Sequence, residues 1–172
     1  MAPQPEARLR KIKRASIVGR VICDVLLALV GLIGIGSVAD LLLGLGGISF
    51  PGWFFSTANL TFAHRLVLAA ITAAAWGILF KGIFHLRRLF GDFTRGEIFT
   101  RHAVGQLRWF GIACVLWSVL KNVWIASLAL SVHPTSAFPA NVDGLGAGIV
   151  IIAIAWFMDM AVDLNEENEL TI

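Results

Sequence analysis

Of the 172 residues, 58% are hydrophobic and only 15% charged, and the mean hydropathy is +0.81. A water-soluble domain of this size needs more polar surface than so few charges can cover, which excludes an ordinary soluble globule and leaves a bilayer as the solvent for the apolar remainder. The formal net charge of +3 could suggest a nucleic-acid partner, but cytoplasmic anchors alone give membrane proteins a basic balance, so no direct nucleic-acid contact is expected.

The chain opens with a basic arm, residues 1–17, followed by a first apolar span at about 18–39 whose core, Val25 to Ala39, is uncharged. A basic arm, an apolar run and Ser37-Val38-Ala39 resemble a cleaved signal peptide. The arm is long for that role, Asp24 interrupts the approach and the apolar run resumes at Leu41, so the first span is expected to be retained. Gly44 to Gly52, with Pro51, reads as a turn that lays Trp53, Phe54 and Phe55 on the headgroup region as an aromatic anchor.

A second span covers about 66–84 and carries Lys81 near its end. Ala69, Ala73 and Gly77 recur every four residues on it, a flat stripe that suits close helix packing; packing within the chain is favoured over a dimer face. A third span at about 107–132 carries Lys121, and Thr100 is placed to cap the helix leading into it. Pro134 and Pro139 mark a second turn region before the fourth span, about 145–162, which opens with Gly144, Gly146 and Gly148 and contains Asp159. Residues 163–172 form an acidic tail. Each span is close to the ~20 residues that a helix needs to cross a ~30 Å hydrocarbon core, and helix is forced because lipid offers the backbone no hydrogen bonds. The expected fold is therefore all-α: a transmembrane domain at 18–162 built as a four-transmembrane-helix bundle.

Orientation follows from where the basic residues fall. The arm through Arg20 has six of them against Glu6, a net +5, and Lys81 to Arg108 nets +4; Asp40 to Arg65 nets zero and Ser131 to Gly144 carries only Asp143. Both termini and the middle connection are thus expected in the cytoplasm, in a multi-pass membrane protein. The tail from Asp159 to Ile172 has five acidic residues and no basic one, so it should associate with the basic connection on the same side, although exposed pairs are each worth only ~0 to 1 kcal/mol.

Ionisable residues inside spans cost roughly 2.5 to 3.5 kcal/mol on insertion scales and need an explanation. Lys121 lies thirteen residues beyond Arg108, about 20 Å along a helix, at a depth comparable with Asp40. A Lys121 to Asp40 pair, or snorkelling by Lys121, accounts for it more simply than a transport site. Asp24 and Asp159 fall toward the inner face, where Arg20 and Lys81 are the expected neutralising groups. His64, His85, His102 and His133 are dispersed with no metal-ligand spacing, Cys23 and Cys114 read as small apolar thiols, and no glycine falls in a phosphate-loop pattern. No catalytic, cofactor-binding or metal site is therefore expected, and an enzyme is disfavoured.

Gly96, Phe99 and Thr100, then Leu107, Arg108 and Gly111 at the head of the third span, and the closing Glu166, Glu167, Glu169, Leu170, Thr171 and Ile172 resemble the DUF2975 family of bacterial four-span membrane proteins. That family usually has a basic residue and a glycine near the end of span four, where this chain reads Phe157-Met158-Asp159-Met160-Ala161. The resemblance implies no known reaction. It implies a cytoplasm-facing membrane partner of a small helix-turn-helix regulator, since some members are encoded beside one. The resulting expectation is a non-enzymatic interaction or sensing module, embedded among membrane lipids, whose surface comprises Arg95, Phe99, Arg101, Arg108, Glu166, Glu167, Glu169, Leu170 and Ile172. The alternatives are a small transporter or ligand-binding subunit using Lys121 and Asp40, and an accessory or homo-oligomeric subunit using the flat stripe of span two.

Overall fold

The computed structural model describes the backbone of residues 5–44, 60–95, 100–131 and 143–169, and the side chains of residues 13–44, 60–95, 100–127 and 144–164. Four helices follow in order: α1 (Pro5–Leu43), α2 (Phe62–Arg95), α3 (Arg101–Ser131) and α4 (Asp143–Glu169). All four are long and apolar enough to cross a membrane, so the all-α four-span fold read from the sequence is the fold found. The helices outrun the apolar spans. The 34 residues of α2 extend about 51 Å, against a hydrocarbon thickness of about 30 Å, so its last turns emerge at headgroup level. Likewise α1 starts at Pro5, making the basic arm and first span one helix, and α4 carries the acidic tail as far as Glu169.

Local signals set the ends. Thr100 caps α3 as expected, its Oγ1 accepting a hydrogen bond from the Ala103 amide at 3.2 Å. Gly44 closes α1 with φ 68° and returns its amide to the Asp40 carbonyl at 2.9 Å, a left-handed cap that glycine adopts without steric cost. The Arg65 guanidinium lies so close to Gly44 that a Cβ there would run into it.

Successive helices are antiparallel. Gly19 meets Phe90 and Gly34 meets Trp76 between α1 and α2; Trp76 meets Trp117, and Gly82 meets Ala113, between α2 and α3; Gly111 meets Ile152, and Gly144 meets Ser118, between α3 and α4. Packing follows chain order, and among the described residues the backbones of α1 and α4 do not approach each other. Consequently α2 is the most enclosed helix, with 39% of its apolar window buried against 17% for α1 and α4. The outward Leu32, Ile35 and Phe157 of those flanking helices face the lipid.

Two apolar clusters hold this row together. Leu41, Leu68, Ala69, Ala75, Trp124 and Ile125 join α1, α2 and α3 near the end opposite the termini, and Val104, Ala155 and Val162 join α3 to α4 nearer the termini. Small residues supply the closest approach: a Cβ on Gly148 would sit 2.9 Å from the Gly111 carbonyl oxygen and 3.0 Å from the Val115 amide nitrogen. Backbone cannot yield as a side chain can, so α3 and α4 touch through their glycines. The stripe on α2 divides: Ala69 is buried, whereas Ala73 and Gly77 are exposed and line an apolar groove of about 460 Å³ with α1.

Candidate functional site

Antiparallel packing brings the start of α1, the end of α2, the start of α3 and the end of α4 to one end of the molecule, and the side chains there are polar and mutually engaged. Arg87 donates from Nε to Asp24 Oδ1, tying α2 to α1. Arg108 Nη2 donates to Asp159 Oδ2 at 2.8 Å, and Arg101 Nη2 to Asp163 Oδ1 at 2.9 Å, two rungs that tie α3 to α4. The neutralising partners of Asp24 and Asp159 are therefore Arg87 and Arg108, not Arg20 and Lys81; the relative rotation of the helices decides which cation faces which carboxylate. Lys81 instead stands 5.9 Å from the centre of the Trp109 ring, a cation–π arrangement.

A polar chain runs between α2 and α3. His85 stacks on Trp109 with ring centres 6.1 Å apart. Its Nδ1–H donates to Gln106 Oε1 at 2.5 Å, and Gln106 Nε2 donates to His102 Nε2 at 3.3 Å. An amide oxygen only accepts, so this orientation puts a proton on His85 Nδ1. Gln106 is buried and sits one helical turn from His102, so it satisfies its own polar groups by linking two histidines that lie far apart in the chain. His102 Nε2 then faces Asp92 Oδ2 at 3.7 Å, beyond hydrogen-bond reach.

Asp92 borders a polar pocket of about 290 Å³ between α1, α2 and the start of α3. Arg20 contributes from α1, Arg87, Arg88 and Arg95 from α2, and His102 from α3. Arg88 also lies over the Phe84 ring, 4.6 Å from its centre. Among the described residues, four arginines line this space with one carboxylate, Asp92. Spacing could have revealed this set: once the helix of span two is continued past Phe84, Arg88, Asp92 and Arg95 recur at i, i+4 and i+7 on one face. Ending the span at its last apolar residue hid that pattern.

Of the residues singled out in the sequence, Arg95 lines the pocket while Arg101 and Arg108 hold α4. Phe99, Leu170 and Ile172 lie outside the described residues, as do the side chains of Glu166, Glu167 and Glu169. Lys121 and Asp40 are half-buried at the opposite end. Each adjoins the same apolar cluster, Asp40 through its neighbour Leu41 and Lys121 about one turn from Trp124 and Ile125.

A family model described as a protein of unknown function, DUF2975, matches residues 53–172. The chain belongs to the DUF2975 family. The match takes in α2, α3 and α4, and leaves α1, with Arg20 and Asp24, outside it. Comparison with curated proteins and with solved structures gives no match. One residue of the DUF2975 resemblance acquires a structural reason: Gly111 permits the α3–α4 backbone approach.

Proposed function

We propose that this DUF2975 protein, a multi-pass membrane protein, is a non-enzymatic interaction or sensing module of the bacterial inner membrane, working through the end that bears its termini. The positive-inside pattern supports a cytoplasmic setting for that end. The observation that carries the reading is the pair of rungs from Arg101 and Arg108 to Asp163 and Asp159, which holds the last turns of α4 beside the start of α3. Charged segments held together in this way form a composite surface at the membrane boundary, and the family resemblance supports a small cytoplasmic helix-turn-helix regulator as its partner. Such exposed pairs are weak singly and screened by salt, which suits a contact that is made and released.

Deleting Glu166 to Ile172 should leave membrane insertion intact and abolish co-purification of cytoplasmic partners from the native membrane. Retention of every partner by the truncated chain would move the function into the spans.

A further inference from the structure

We infer that the pocket between Arg20, Arg88, Arg95 and His102 binds a phosphate ester that carries a neighbouring hydrogen-bond donor, such as a hydroxyl. The inference supplies a ligand to the end of the molecule that the sensing reading uses, and rests on that reading only for its biological purpose.

The cavity comes first. Among the described residues, four arginines and one carboxylate line about 290 Å³. Arg87 is engaged by Asp24, while among the described residues Arg20, Arg88 and Arg95 form no ion pair. Cations gathered around one cavity repel one another, and an anion between them removes that repulsion while offering the planar guanidinium forks oxygens to bind in pairs. In volume the cavity holds roughly ten waters at ~30 Å³ each, room for a phosphate group with a few attached heavy atoms. Gly91 leaves the wall open, for a Cβ at that position would meet nothing within 4 Å.

Asp92 is the second, independent observation. It is only 8% exposed, borders the cavity, and its Oδ2 has no hydrogen-bond partner. A buried carboxylate oxygen without a donor is costly, and His102 stands too far away at 3.7 Å to supply one. A simple anion would aggravate the problem. A phosphate ester with an adjacent hydroxyl resolves it, placing its phosphate oxygens among the arginines and its O–H on Asp92.

Depth is the third. Arg88, Asp92 and Arg95 lie on the turns of α2 that continue beyond its apolar span, which places them at headgroup level. The same chemistry is offered there by a phosphatidylglycerol headgroup and by a soluble polyol phosphate such as glycerol 3-phosphate.

The test uses the purified full chain. Native mass spectrometry measures retention of phosphatidylglycerol against phosphatidylcholine, which lacks the donor, and calorimetric titration measures glycerol 3-phosphate binding. Preferential phosphatidylglycerol retention assigns the lipid as the source, and saturable binding of glycerol 3-phosphate assigns the soluble ester. Gly91→Leu fills the cavity without changing charge and should reduce whichever binding occurs at least tenfold, as should Arg88→Gln with Arg95→Gln. Asp92→Ala should erase the preference for a ligand bearing the donor while leaving phosphate affinity. If the wild type binds neither probe, or Gly91→Leu binds as well as the wild type while remaining folded by circular dichroism, the inference is overturned. Partner recovery is not read in this experiment, so the interaction reading stands or falls separately.

Discussion

The two ends of this molecule are built from the same four helices and held by different forces. At the end bearing the termini, guanidinium–carboxylate pairs link α1 to α2 and α3 to α4, and a histidine–glutamine chain links α2 to α3. At the other end Leu41, Leu68, Trp124 and Ile125 pack as an apolar cluster, and between the two ends Gly144 and Gly148 let α4 lie against α3. Charge pairing is affordable where water and headgroups reach the side chains, while close packing works where lipid gives no hydrophobic reward for association. The difference separates an end held by ion pairs and hydrogen bonds from an end held by apolar packing.

The test with the largest outcome asks which end faces which side. In a background with Cys23→Ala and Cys114→Ala, a cysteine replacing Arg10 or Arg95 should be shielded from an impermeant thiol reagent in intact cells, and one replacing Ser56 or Ser136 should react. Reversed labelling would put the polar end outside and remove the cytoplasmic reading.

Next in size is the glycine contact. Gly148→Val would drive two methyl groups toward the Gly111 carbonyl and the Val115 amide, costing about 3 kcal/mol or more because backbone cannot step aside. Gly146→Val, where a Cβ meets nothing within 4 Å, should cost well under half as much. Unfolding in detergent followed by circular dichroism measures both, and equal losses would mean that the α3–α4 approach does not stabilise the fold.

A smaller effect is expected at Lys121. If Lys121 and Asp40 neutralise each other, as we propose, Lys121→Met should be tolerated and Lys121→Asp should lower the yield of folded protein by setting two carboxylates at one depth. Matching yields for the two variants would argue against an acidic neighbour.

The smallest change is at the polar rungs. Both members of the Arg108–Asp159 pair are partly exposed, so Arg108→Ala should cost only about 0.5–1 kcal/mol, less in high salt. The swap Arg108→Asp with Asp159→Arg should restore most of it. A loss as large as that of Gly148→Val would erase the contrast between ion pairing and close packing.

Much of the architecture is legible in the residues taken one at a time. Apolar length predicts four helices because transfer into lipid is a property of each side chain, summed along a segment. The Thr100 cap is equally local, needing only a hydroxyl three residues before an amide. The polar site is not local. Asp24 reaches Arg87 rather than Arg20, and His85 joins His102 through Gln106, because each helix is turned about its axis until its small residues and its aromatics fit a neighbour. Rotation about the axis leaves hydropathy along the chain unchanged but decides which side chains meet. The residues by themselves therefore determined how many helices cross and where the charge collects, while the packing of α1, α2 and α3 alone decided that Arg20, Arg88, Asp92, Arg95 and His102 should share one pocket.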